Sequence, residues 1–356
     1  MTRGSPDAPP ESDAYPGAPH PRFAERLIGH VAAERQLLDA YRDGRLAHAW
    51  LIGGREGVGK ATLAWRFARF ALANPDPAAP AVQAAKDLSV APDHPAARRL
   101  AALAHPDFAL IRREWSPKAK AFFTEIRVDD VRAGLATFRL SAASGGWRVV
   151  LIDCADELNP AGANALLKMV EEPPPRALVL IVAHRPGRVL PTIRSRCRRL
   201  KLERLTPPEI AEVIGGLGPP WSETDATARK AAAARADGSA REALRRLDSD
   251  ADGAMALIDA VVARLPDADP RAVHKLAEAV SGRAAGDAFA ALAAALYDWL
   301  AARARAESSL AAREALAELW ERIRDSTRET EALNLDRRLH VLAIFQEISA
   351  RARFLS

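Results

Sequence analysis

Gly54-Arg55-Glu56-Gly57-Val58-Gly59-Lys60-Ala61 is the stretch on which the reading of this chain turns. The pattern G-x-x-x-x-G-K is that of a loop that wraps nucleotide phosphates. The backbone amides from Arg55 to Lys60 cradle the anion at a helix N-terminus, and Lys60 reaches its terminal phosphates. Gly54, Gly57, Gly59 and Lys60 are therefore candidate nucleotide-binding residues. The pattern ordinarily closes on Ser or Thr, whose hydroxyl holds the Mg²⁺ that bridges the phosphates. Here Ala61 offers a methyl group. Thr62 does not replace it, because one step along a helix turns a side chain by about 100°. The frame for gripping a nucleotide is present and a part needed to hydrolyse it is missing.

The flanks give the loop its context. Ala49-Trp50-Leu51-Ile52 is a short apolar run ending at glycines, as a buried strand does, and the helical spacing after the loop runs from Ala61 to Leu72 with Leu63, Phe67 and Phe70 available to pack. Helical spacing also covers Leu27 to Tyr41. Further strands are expected at Phe108–Ile111, Trp147–Asp153 and Ala177–Ala183. Between them lie a helix from about Ile126 to Leu140, which Asp129 can cap, and one at Asn164–Glu172 stopped by Pro173-Pro174-Pro175. Continuously apolar strands alternating with helices predict an α/β module with a parallel sheet covered on both faces.

Elsewhere the texture differs. Residues 1 to about 21 are rich in Pro, Gly, Ser and Asp and are expected to form a disordered tail. After Leu205-Thr206-Pro207-Pro208 the chain is alanine-rich and helical to about Leu265. Pro266 to Pro270 punctuates it again, and amphipathic helices continue to Ser356. Leu292, Leu296 and Leu300, and Leu316, Leu319 and Ile323, fall on helix faces suited to a bundle.

Composition sets broad bounds. The 356 residues are 49% apolar and 27% charged, ordinary values for a globular protein with two or three cores. No run approaches the roughly 20 apolar residues of a membrane span, and two cysteines, Cys154 and Cys197, make neither a disulfide framework nor a zinc cluster. A cytoplasmic location is expected. The net charge of +5 leans toward an acidic partner such as DNA, but with only eight lysines among 51 basic residues the arginine content carries little weight.

Asp153 ends its apolar strand where phosphate-loop ATPases keep a Mg²⁺-supporting carboxylate; the alternative is that it caps the following turn. Cys154 follows it, and a buried neutral thiol cannot polarise a water. Arg196, in Ile193-Arg194-Ser195-Arg196-Cys197, sits beyond a loop bounded by Pro186 and Pro191. An arginine so presented can act as an arginine finger; taken alone, in an arginine-rich segment, it reads more readily as solvated surface. Arg185 to Arg204 is the most basic stretch, suited to DNA phosphates or to a subunit interface, without interleaved aromatics for base stacking. Arg241, in Asp237-Gly238-Ser239-Ala240-Arg241, opens a helix and either faces a nucleotide or is exposed.

Taken in order, the phosphate loop, Leu151-Ile152-Asp153, Asn164-Ala165-Leu166-Leu167-Lys168 with Glu171-Glu172-Pro173-Pro174, Ser195-Arg196-Cys197 and Gly238-Ser239-Ala240-Arg241-Glu242-Ala243-Leu244 resemble the clamp-loader branch of the AAA+ ATPases. Within it they resemble the delta-prime subunits of bacterial DNA polymerase III. His105-Pro106-Asp107 and Asn334-Leu335-Asp336 fit as well. The resemblance implies a RecA-like AAA+ module over 22–204, a small helical lid over 205–265 and a helical collar over 266–356. It implies a place beside gamma/tau motor subunits and a delta subunit in a hetero-pentameric ring that loads a sliding clamp on primed DNA, touching DNA through phosphates. It assigns Arg196 as a finger for the neighbour's ATP, Arg241 as the lid arginine and His184 to the sensor region. No cofactor is required, and ATP binding without hydrolysis stays open because Lys60 is retained. The four-cysteine zinc module of many relatives is missing. Two competing readings are an active AAA+ ATPase, opposed by Ala61 and Cys154, and a sequence-specific DNA-binding protein, opposed by the lack of a reading module.

Overall fold

A computed structural model describes residues 10–136, 145–281, 286–333 and 335–352. The chain forms two compact units, Met1–Leu244 and Arg245–Ser356. Asn334 and the expected end of a helix at Leu140 lie outside the described residues.

The first unit is built on strands β1 (Ala49–Gly53), β2 (Phe108–Ile111), β3 (Trp115–Ser116), β4 (Ala121–Phe122), β5 (Arg148–Asp153), β6 (Ala177–Ala183) and β7 (Arg198–Lys201). Five of them form a sheet in the order β2-β5-β6-β1-β7, with β1, β5 and β6 each buried along their whole length. All its pairings are parallel, whereas β3 and β4 form a separate antiparallel hairpin. Alternation along the strands sends side chains to opposite faces. Trp50, Ile52, Val149, Leu151, Leu180 and Val182 meet the helices Val31–Arg42 and Lys60–Ala73 on one face. Ala49, Leu51, Val150, Ile152, Val179 and Ile181 join a second core with Val131, Leu166 and Ile193 from the helices Val128–Ala136, Pro160–Glu171 and Pro191–Arg196. This is the α/β AAA+ arrangement, with the phosphate loop leaving β1 at the carboxyl edge of the sheet, where open parallel sheets bind ligands.

Most expected elements are in place, with local adjustments. The helix read as starting at Asn164 starts at Pro160, because Asn159 caps it by accepting from Gly162 N at 2.7 Å. Asp130, and not Asp129, accepts the backbone N–H of Arg127 at the start of the helix Val128–Ala136. Strand β7 runs through the basic stretch; only Leu200 of it is buried, and its charged flanks suit a sheet edge.

The segment expected as a disordered tail is, from residue 10 onward, tied down: Ser12 Oγ donates to Arg113 O at 3.0 Å and Trp221 Nε1 donates to Gly17 O at 3.1 Å. Helices Pro207–Gly215 and Ala226–Arg235, with the start of Ala240–Leu247, complete this unit as a lid-like extension.

The second unit contains the helices Pro270–Ser281, Gly286–Ala306, Leu310–Ala332 and Arg337–Ala352. All six leucine and isoleucine positions read from sequence as bundle faces are buried in its core. That core also takes in Met255, Ile258 and Val261, from the helix Ser249–Val262. The core thus begins ahead of the Pro266 punctuation, since uniformly alanine-rich helices carry little mark of which neighbour they pack on.

Candidate functional site

The loop after β1 adopts backbone that its sequence was suited to. Gly57 and Gly59 have φ of +77° and +105°, a region that L side chains avoid. Gly59 leads into the helix Lys60–Ala73. A Cβ on Gly57 would lie 2.6 Å from Arg241 Cβ and 2.8 Å from Arg241 N, so the lid segment rests directly on the loop. Ala240 N donates to Gly57 O at 2.9 Å and seals the contact.

Every cation aimed at this loop already has an internal partner. Lys60 is 2% exposed, and its ammonium donates to Arg55 O at 2.6 Å. Burial lowers its proton affinity, and Asp153, Glu56 and Asp156 nearby oppose that fall. Arg241 Nε lies 3.0 Å from Glu56 Oε1, and its guanidinium stands 5.5 Å from the centroid of the Tyr15 ring. Asp237 joins Arg55 to Arg204, tying the loop to the lid a second time.

The carboxylate side of the site is deeply buried. Burial first, and the charge of Asp13 second, push the Asp153 carboxyl up to about 8, well above the usual range for an ionised metal ligand. Burial likewise raises the Cys154 thiol, which donates to Asp156 Oδ1 at 2.6 Å. Asp156 also accepts from His184 N at 2.8 Å; these hydrogen bonds outweigh its burial and keep its carboxyl low. Burial and then the Lys60 ammonium push the His184 imidazole down to about 4, so it is neutral at physiological pH and its 3.9 Å approach to Glu56 is not an ion pair. With a methyl at Ala61 and a buried thiol at Cys154, the site lacks the hydroxyl and the second carboxylate that would hold and use a Mg²⁺ ion.

Gly54, Gly57, Gly59, Lys60, Asp153, His184 and Arg241 thus come together around the phosphate loop, and Arg196 is set apart from it. Arg196 ends the helix Pro191–Arg196, whose Ile193 packs on the face of the sheet opposite the helix that follows the phosphate loop. Its side chain is 43% exposed; Nη1 donates to Thr192 O at 3.0 Å and Nη2 sits 2.9 Å from Glu171 Oε1. Other members of the basic stretch are also engaged within the chain: Arg198 lies over the Trp50 ring at 5.0 Å and Lys201 pairs with Glu203 at 2.8 Å. Sequence reasoning did not single out Glu56, Asp237, Asp13 or Tyr15. An acid inside a phosphate loop and a lone aromatic in a Pro-rich stretch were the available signals.

Residues 29–206, half of the chain, match the family described as "DNA polymerase III, delta subunit". The chain belongs to this family. Among curated relatives, the DNA polymerase III subunit delta' of Pseudomonas aeruginosa is 39% identical over 151 residues, 42% of each chain. The DNA polymerase III subunit gamma/tau of Mycobacterium tuberculosis is 30% identical over 193 residues, covering 54% of this chain and 30% of that one. The chain therefore matches less than half the length of these relatives. Among solved structures, RuvB of Thermotoga maritima aligns over 75% of this chain and 76% of its own at 20% identity, with a TM-score of 0.40. The family membership agrees with the motif resemblance, and no helix among the described residues is long and apolar enough to cross a membrane.

Proposed function

We propose that the chain is a delta-prime-type subunit of a DNA polymerase III clamp loader that does not hydrolyse ATP itself and presents Arg196 to the nucleotide of a neighbouring motor subunit. The observation that carries the reading is the contrast between a phosphate loop whose Lys60 and Arg241 are satisfied internally and an arginine exposed at a helix end, held by the Thr192 carbonyl, the neighbouring Ser195 hydroxyl and one partly exposed carboxylate. Exposed ion pairs of this kind contribute about 0–1 kcal/mol, so a phosphate of a neighbour competes well for the guanidinium. In this reading the three-part division at 22–204, 205–265 and 266–356 serves assembly. The last part joins gamma/tau and delta subunits in a five-membered ring, which acts on a sliding clamp and primed DNA in the cytoplasm. DNA contact, where made, runs through phosphates and weakens steeply with salt.

An active AAA+ ATPase is the competing reading. Loss of the metal hydroxyl at Ala61 and of the catalytic carboxylate at Cys154 removes several kcal/mol of transition-state stabilisation, on the order of a thousandfold in rate. The deciding experiment is ATP turnover by a reconstituted clamp loader carrying this chain as wild type or as Arg196→Ala, beside turnover by the chain alone. The expected result is a silent chain, an active complex and a crippled but fully assembled mutant complex. Turnover by the isolated chain, or a mutant complex as active as wild type, overturns the proposal.

A further inference from the structure

Residues 11–17 link the carboxyl edge of the sheet to the helical segment that rests on the phosphate loop. Two acids anchor the crossing to the carboxyl edge of the sheet. Glu11 pairs with Arg22 at 2.5 Å and with Arg112, the residue after β2, at 2.8 Å. Asp13, whose side chain is 2% exposed, pairs with Arg112 and lies 3.0 Å from His20 Nε2. The far side is anchored to the lid. The Tyr15 ring meets Trp221 edge-on at 5.8 Å, Trp221 donates to Gly17 O, and the Arg241 guanidinium faces the same tyrosine ring. One segment of about ten residues therefore joins the sheet edge to the lid, and its Tyr15 ring stands against the arginine that packs on the loop at Gly57.

We propose that residues 10–20 are a strap that holds the lid on the phosphate loop and excludes nucleoside triphosphate, so that the retained loop binds nucleotide only when the strap is displaced. One physical feature sets the strap and the nucleotide in competition. Arg241, the cation on the lid side, is already held by Glu56 and the Tyr15 ring, and a nucleotide phosphate must break that arrangement to gain it. The inference concerns the chain's own loop and is independent of the role given to Arg196.

The test is equilibrium binding of a fluorescent ATP analogue to the full chain, with and without EDTA, for wild type, Tyr15→Ala/Asp13→Ala and the shape-preserving pair Glu11→Gln/Asp13→Asn. Expected are weak binding by wild type, a gain of at least tenfold in the first variant, a smaller gain in the second, and loss of both gains when Lys60→Ala is added. Folding of each variant is checked by far-UV circular dichroism and thermal melting; if the alanine pair does not fold, the Gln/Asn pair decides. Equal affinity in wild type and folded strap variants, whether tight or undetectable, overturns the strap, as does a gain that survives Lys60→Ala.

Discussion

Two arginine-bearing regions of one AAA+ module, the Arg241 cleft and the Arg196 helix end, handle charge in opposite ways. Around the phosphate loop, Lys60 is buried on Arg55 O and Arg241 is partly buried on Glu56, while Arg55, which pairs with Asp237, is exposed. At the helix end, Arg196 projects beside Glu171 in a setting where water screens the pair. A cation enclosed with its own counter-charge is withdrawn from outside chemistry, because a competitor must replace interactions made in low dielectric. A cation on a solvated pair is available. The proposal for Arg196 rests on this difference.

The comparison breaks most visibly at Arg196. Arg196→Ala is expected to lower ATP turnover of the assembled complex by about a thousandfold, the lower end of the range for arginine fingers, with the melting temperature of the isolated chain unchanged. Steady-state turnover beside size-exclusion chromatography checks both halves of that statement. Next comes Gly57→Ala, which forces a side chain into φ +77° and against the backbone of Arg241. It should cost roughly 3 kcal/mol of stability in denaturant titration and loosen the lid.

A smaller effect sharpens the electrostatic side. The folded value of Asp153, about 8, lies above its ordinary 3.8, so the folded state holds a proton that the unfolded chain has released. Stability is consequently lost as pH rises from about 4 to about 8. Asp153→Asn should remove this loss: its melting temperature should match wild type near pH 4 and exceed it by a few degrees at pH 8. A constant offset across that window would mean that Asp153 is ionised in the fold. The smallest effect is expected at Glu171→Gln, which should change the stability of the isolated chain by less than about 1 kcal/mol, since the pair is solvated on both sides. A loss of several kcal/mol there would make the Arg196 region a structural joint and erase the contrast.

Much of this was legible in the chain. Strands β1, β5 and β6 announced themselves as apolar runs because both faces of a covered parallel sheet must be apolar. The phosphate loop was legible because its glycines serve backbone conformations that few other residues adopt. The start of the helix at Pro160 was less so, since Asn159 takes effect as a cap only once the turn brings Gly162 N to its side chain. β7 was hidden because an edge strand buries one residue in four and otherwise looks like charged surface. The strap was illegible for a different reason. Its composition is that of a disordered segment, and its order comes from Arg112, Trp221 and Arg241, which lie 99, 206 and 226 residues from Asp13 and Tyr15 in pairs that no local pattern encodes.

By itself the sequence determined the fold class, the family and the absence of the magnesium hydroxyl at Ala61, since each is a matter of residue type at a spacing. Tertiary structure alone decided that the cleft is closed by its own charges and that Arg196 stands outside it on the other face. Those are facts of through-space pairing and burial, which depend on where distant segments meet and not on what any one of them contains.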